Sequence, residues 1–243
     1  SNKLQELEPR IAELGVSGRL LPDAAQVRNP RLLQAVARAC QIRGVNVLPE
    51  RPVVGFERSG DRLTAIQMAD GQRLPCGAAV VTAGAWSAPL LERAGCHIPV
   101  FPVQGQIVAI QTDGSIVRHI ILVGKRYLVP RDDGLVLVGS TEDDVGFDKH
   151  NTTEGVEGLK VFAYDLFPTL RENEITSTWA GLRPGCRLKR PIIGKVPGWE
   201  NLWVATGHFR QGIQMSLGTA RVLSDAMVGA PTFVNLDSFS VAG

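Results

Sequence analysis

Two short apolar runs, residues 78–82 and 202–205, each lead into a glycine-bearing turn and then a helical stretch. Such runs suit buried strands, and strands that feed helices give these segments α/β character. Between them the texture changes. From near Pro99, residues 106–111, 119–123, 127–130 and 135–139 are β-rich runs separated by glycines and charged turns, the pattern of an antiparallel sheet. A helix over 153–167, closed by Pro168, and a strand over 175–182 complete this middle segment. Segments of α/β character thus flank an antiparallel one. The order predicts a mixed α/β (α+β) chain of two interwoven domains, each discontinuous. The antiparallel domain is expected to take residues 1–27 and 99–190, and the α/β domain residues 28–98 and 191–243.

Local signals fill in the flanks. Leu32, Leu33, Val36, Ala37 and Cys40 have helical spacing, with Asn29 placed to cap the helix, Pro30 suited to its first position and Gly44 to its end. Residues 45–48, 53–56 and 63–68 read as short strands, and Asp70-Gly71 as a hairpin turn into Arg73-Leu74. A helix is expected over 87–94. The last helix, 213–228, carries Ile213, Leu217, Ala220, Leu223 and Met227 on one face. With 26 basic and 24 acidic side chains in 243 residues, the charge is balanced, and no electrostatic footprint for nucleic acid or an anionic membrane exists. No apolar run approaches a membrane span. Cys40, Cys76, Cys96 and Cys186 are scattered without zinc-type spacing, so reduced thiols in a cytoplasmic protein, and no metal, are expected. The opening Ser1-Asn2-Lys3 resembles the remnant of a cleaved tag, and no signal peptide is read.

Four stretches carry chemistry of their own. Thr82-Ala83-Gly84-Ala85-Trp86-Ser87 brings bare backbone to the carboxyl end of a strand, where open α/β sheets bind ligands. A tight turn with no ligand fits that pattern equally well. Thr206-Gly207-His208-Phe209-Arg210-Gln211-Gly212-Ile213 joins a buried strand to a long helix, whose first amides form a partly positive anchor for an anion. The alternative is an ordinary core helix with a structural histidine. Trp179-Ala180-Gly181-Leu182-Arg183-Pro184 presents a guanidinium whose planar fork pairs two-pronged with a carboxylate, or else closes an ion pair at a strand end. Tyr127-Leu128-Val129-Pro130-Arg131 carries one of only two tyrosines, read as a pocket hydroxyl or as a half-buried core ring. Weaker signals are Pro102-Val103-Gln104-Gly105-Gln106, and Gly139-Ser140-Thr141-Glu142 followed by Gly146-Phe147-Asp148.

Taken in order, these stretches resemble the D-amino-acid oxidase superfamily of FAD-dependent flavoproteins, in its glycine oxidase and sarcosine oxidase-like branch, over essentially the whole chain. The resemblance implies FAD as cofactor, with Val53, Ala83, Gly84, Trp86, Gly207, His208, Arg210, Gly212, Ile213 and Gln214 on its binding side. It implies that the start of the last helix faces the flavin pyrimidine edge and stabilises the negative charge of the reduced ring. Arg183 would then grip the substrate's α-carboxylate, Tyr127 would line the substrate pocket, and Arg210 would touch cofactor or substrate. These three are the candidate catalytic residues. By the same resemblance the antiparallel domain is the substrate domain and the α/β domain binds FAD. The implied reaction oxidises a small amine or α-amino acid, glycine or sarcosine foremost, to the imine by hydride transfer to flavin. Molecular oxygen is the implied acceptor and H2O2 the product. A dehydrogenase or demethylase using another acceptor is one rival; a non-enzymatic module that binds a ligand or partner is the other.

The match has gaps. Relatives usually carry an aspartate in the turn after the Arg-Pro pair, and here Leu188 stands there among Arg187, Lys189 and Arg190, which leaves the local geometry and substrate preference open. Cys186 does not fall where sarcosine oxidases attach flavin covalently, and it is read as an ordinary thiol. More seriously, a strand, G-x-G-x-x-G and helix unit is expected in this superfamily, and the sequence has no such motif. Leu7-Glu8-Pro9 matches a point well inside the family pattern, which implies on the order of a hundred residues upstream, against ~30 for the pyrophosphate-binding unit. A chain without that unit is expected to be inactive, to bind FAD weakly or not at all, and to expose sheet edges through which copies form a homo-oligomer.

Overall fold

The computed structural model describes residues 2–241. In chain order the helices are α1 (Asn2–Leu7), α2 (Asn29–Ile42), α3 (Ser87–Glu92), α4 (Thr153–Leu166) and α5 (Gly212–Met227). The strands are β1 (Val53–Ser59), β2 (Arg62–Met68), β3 (Arg73–Pro75), β4 (Ala79–Val81), β5 (Val100–Gln111), β6 (Ile121–Val123), β7 (Arg126–Pro130), β8 (Leu135–Gly139), β9 (Ile175–Cys186), β10 (Ile192–Lys195) and β11 (Leu202–Thr206). Two compact units result: residues 1–47, 104–143 and 148–181 form the first, and 48–103, 144–147 and 182–243 the second.

The first unit is built on a five-stranded sheet in the order β6-β7-β8-β5-β9. Antiparallel register aligns Leu128 and Val108 with Val138, and all three are fully buried. Alternation along the strands sends this row to one face. There it meets Leu159, Ala163 and Leu166, which α4 presents at helical spacing. The Thr152 hydroxyl caps α4 by accepting the Gly155 N–H at 3.0 Å, an interaction worth about 1 kcal/mol. Pro168 follows directly and cannot continue the helix. The segment after α1 is pinned by Glu8, whose buried carboxylate accepts the N–H of His119 at 2.6 Å and hydrogen-bonds its Nδ1 at 2.7 Å.

The second unit holds two three-stranded sheets. One is the antiparallel β1-β2-β3 meander, turned at Asp70-Gly71 as expected. In the other, β11 pairs antiparallel with β10 and parallel with β4. Buried Asn201 links them: its Oδ1 accepts the Leu63 N–H at 2.7 Å, and its Nδ2 donates to the carbonyls of Leu63 and Gly77 at 3.0 and 2.6 Å. Leu91, Ile98, Ile192, Leu202 and Val204 complete the core.

Three local expectations are corrected. Residues 45–48 form no strand: no described strand pairs with them, and Val45, Val47 and Leu48 are all exposed, so nothing offsets the entropy of ordering an extended backbone. Asn29 is already helical, follows Arg28 and caps nothing, and α2 buries none of its residues. Finally, α5 buries only part of its expected face. Leu223 is buried and Met227 packs against the core as expected, with Val222 beside them, while Leu217 is 82% exposed and Ile213 and Ala220 point outward.

The accessible surface is 14641 Å². A folded monomer of 26.2 kDa exposes about 10,600 Å², and two separate domains of half that mass about 12,800 Å². The chain thus exposes more than either arrangement predicts, and Leu33, Ile42, Leu217 and Phe233 contribute apolar area to it. Among the described residues no helix is long and apolar enough to cross a membrane, and no group of three or more His, Cys, Asp or Glu is placed to hold a metal.

Candidate functional site

Because β4 and β11 are parallel neighbours, both strands end at the same edge of their sheet. Each runs into a glycine with a left-handed backbone: Gly84 at φ +56° after β4 and Gly207 at φ +77° after β11. The buried Thr206 hydroxyl ties the two turns by donating to the Gly84 carbonyl at 3.0 Å. Gly207 is confined as well, since a Cβ there would stand 3.1 Å from the Cys186 Cβ. Gly84 differs: no atom lies within 4 Å of where its Cβ would be. The space beside it is open to a ligand.

After Gly207 the chain makes a short 3-10 turn, with Phe209 also at positive φ, and enters α5 at Gly212. Gln211 makes no side-chain cap there, and the first turn of α5 holds no acidic residue. The amides of Gly212, Ile213 and Gln214 lie at the partly positive end of the helix. Gly212 is not demanded by packing, because a Cβ there would sit at an ordinary 3.6 Å from His208.

His208 steadies this loop through a 3.0 Å hydrogen bond between Nε2 and Thr219 Oγ1 on α5. Burial pushes its pKa below the usual histidine value. The neutral ring is therefore the form that suits the fold. Its stabilising contribution is fully present above the unfolded-state pKa of about 6.5 and is lost as pH falls through the lower folded-state pKa. Urea midpoints are expected to drop below pH 6.5 in the native chain and to drop less in His208→Gln. Equal slopes in the two proteins would show that His208 carries none of this dependence. The depressed carboxylates Asp113, Asp133 and Asp148 act in a lower window, below about pH 4.

Three further candidates, Val53, Ala83 and Trp86, share one apolar cavity of about 610 Å³ with Val54, Phe56 and Val80. The Trp86 ring rests on Phe147, centroids 5.7 Å apart, and both rings are about half exposed. Arg183 lies within β9, half-buried, because that strand runs on to Cys186 rather than ending at residue 182. The turn after it closes through the Lys189 N–H to the Cys186 carbonyl at 3.0 Å, with Leu188 exposed, so it forms without the aspartate of relatives. Arg210 is exposed, its guanidinium 5.8 Å from the Phe209 ring. Tyr127, half-buried on β7, belongs to the first unit, and the other candidates to the second. A polar cavity of about 410 Å³ in the first unit is lined by Gln106, Lys125, Ser140, Glu142 and Thr152.

Sequence reasoning missed Thr206, Thr219 and Phe147 as supports. Thr206 stood inside a quoted motif, but its hydroxyl reaches a turn far away in the chain. Thr219 sits on the helix face that the expected stripe left out.

A parallel strand pair that ends in two glycine turns beside a helix start is an arrangement suited to a nucleotide cofactor, and residues 1–226 match the family described as FAD dependent oxidoreductase, DAO. The chain belongs to that family. Within it the chain is glycine oxidase-like: the glycine oxidase of Pseudomonas putida is 36% identical over 220 residues, which cover 90% of this chain and 60% of that protein. The hydrogen cyanide synthase subunit HcnC of Pseudomonas aeruginosa is 36% identical over 231 residues, 95% of this chain and 55% of that one. The crystal structure of glycine oxidase from Geobacillus kaustophilus aligns with a TM-score of 0.92 at 28% identity, over 99% of this chain and 65% of that one. The mixed fold with its antiparallel sheets is thus the glycine oxidase fold, and the chain spans 60% of the first relative's length.

Proposed function

We propose that the whole protein is an FAD-dependent oxidase of a small amine or α-amino acid, glycine or sarcosine foremost, and that this chain supplies the flavin side of its site together with the substrate grip. The reading is carried by the parallel pair β4 and β11, whose glycine turns are tied by Thr206 and adjoin the start of α5. These residues fit a flavin. Open space beside Gly84 admits a flat ring, and the partly positive start of a helix without a side-chain cap suits a ring that turns anionic on reduction. Ala83, Gly84, Gly207, Gly212, Ile213 and Gln214 would hold it through backbone contacts, with Val53 and Trp86 on the cavity wall and His208 and Arg210 in the loop.

When bound, FAD would accept a hydride from the substrate's Cα–H as the amine loses a proton to leave the imine, and would hand the two electrons on to oxygen, which with two protons gives H2O2. Arg183 fixes the substrate carboxylate, and Tyr127 offers a hydroxyl to the substrate pocket. An amine that enters neutral needs no side-chain base, so the protein contributes position and electrostatics. The α/β segments serve the cofactor and the antiparallel segment, with Arg183 near its end, the substrate, and the protein works in the cytoplasm.

The sequence has no G-x-G-x-x-G motif to hold the pyrophosphate, and the relatives are longer. The chain alone is therefore inactive in this reading, holds FAD weakly or not at all, and self-associates through the edge of β4 and the excess apolar surface. The full-length protein supplied with glycine or sarcosine is expected to bleach its flavin anaerobically and to release peroxide in air. Flavin that bleaches without peroxide would replace the oxidase by a dehydrogenase, and flavin that no small amino acid bleaches would overturn the substrate class.

A further inference from the structure

Gly139 belongs to a motif that the proposed chemistry leaves unused. It closes β8, directly opposite Tyr127 on β7 in the antiparallel register. Its φ is not in the left-handed region, so no positive φ demands a glycine there. What is missing is room. A Cβ at this position would lie 2.5 Å from Tyr127 Cζ, 2.6 Å from its Oη and 2.7 Å from its Cε2. Opposed side chains on neighbouring strands ordinarily stand side by side. Here one partner has no side chain, and the phenol lies across the bare Cα with its hydroxyl end included.

We propose that Gly139 is a positioning residue: the missing side chain is a seat that sets where the Tyr127 phenol lies, and thereby how substrate is bound. The proposal rests on the reading of Tyr127 as a pocket residue. A methyl group at 139 must push the ring away by roughly 1 Å to restore ordinary contact distance. The three atoms nearest to such a methyl group all belong to Tyr127, so the disturbance falls on the ring. Misplacement of that size lowers kcat/KM by about tenfold to a hundredfold, here mainly through KM, because the bonds that change lie elsewhere.

The chain holds two tyrosines, Tyr127 and Tyr164, so fluorotyrosine labelling gives two fluorine resonances. Gly139→Ala is expected to move the Tyr127 signal and leave that of Tyr164 in place. An unmoved Tyr127 signal in the folded variant overturns the seat. If the single variant fails to fold, the double variant with Tyr127→Ala, which clears the ring, is expected to fold; equal failure of both overturns the proposal. In the full-length oxidase, Gly139→Ala should raise KM about tenfold alone and less than twofold in the Tyr127→Ala background. An equal rise in both backgrounds means that Gly139 acts elsewhere. If Tyr127→Ala leaves KM unchanged, the pocket reading of Tyr127 fails and the substrate role of the seat fails with it, while a shifted resonance would still record the contact.

Discussion

Arg183→Ala in the full-length protein is expected to lower kcat/KM for glycine or sarcosine by roughly two to three orders of magnitude. A two-pronged, charge-assisted guanidinium–carboxylate pair contributes about 3–4 kcal/mol, and each 1.4 kcal/mol is tenfold in rate. The position suits the task. Arg183 is rooted inside β9 and half-buried, so its backbone is fixed by the strand. Arg183→Lys should recover only part of the loss, since an ammonium restores the charge but not the fork. An amine without a carboxylate supplies the control. Its turnover should be nearly the same in wild type and variant, and a loss as large as that for glycine would make Arg183 a structural residue.

The two turn glycines are expected to fail in opposite ways. At Gly207 an alanine meets both a left-handed backbone and a Cβ contact of 3.1 Å with Cys186, so Gly207→Ala should cost about 2–4 kcal/mol of stability. At Gly84 the backbone strain alone applies, about 1 kcal/mol, because no neighbour lies within 4 Å. Its methyl group would instead enter the space assigned to the flavin. Gly84→Ala in the full-length protein should therefore unfold almost normally yet lose flavin at least tenfold more readily. Urea unfolding and flavin release on dialysis separate the two. If Gly84→Ala keeps its flavin as tightly as wild type, the ring does not lie beside that turn.

Much of this fold was legible because local signals agreed with one another. The run 202–228 combined a buried strand, a glycine-flanked turn and a helical stretch, and the structure builds them as β11, the loop and α5. The hairpin at Asp70-Gly71 and the stop of α4 at Pro168 were equally local. Misreadings came where two answers shared one pattern. Residues 45–48 are β-branched and apolar enough for a strand, but a strand needs a partner, which periodicity does not reveal. On α5 the one apolar face that was read held Leu223 but not Val222, and only packing against β10 brings Val222 inward.

The site was legible in its glycines and arginines and opaque in its supports. Gly84 and Gly207 announce themselves because positive φ is a property of one residue. The tie from Thr206 to Gly84, the rest of Trp86 on Phe147 and the fold of Tyr127 over Gly139 are contacts between distant positions. A motif marks such residues without saying what they touch.

The central claim is that this chain holds one side of a flavin site whose other side lies in sequence it does not contain. Flavin content after gel filtration with excess FAD tests it most directly, comparing the chain of 243 residues with the full-length protein. The full-length protein should retain about one FAD per chain, and the shorter chain should elute colourless. Stoichiometric flavin on the shorter chain would contradict the account.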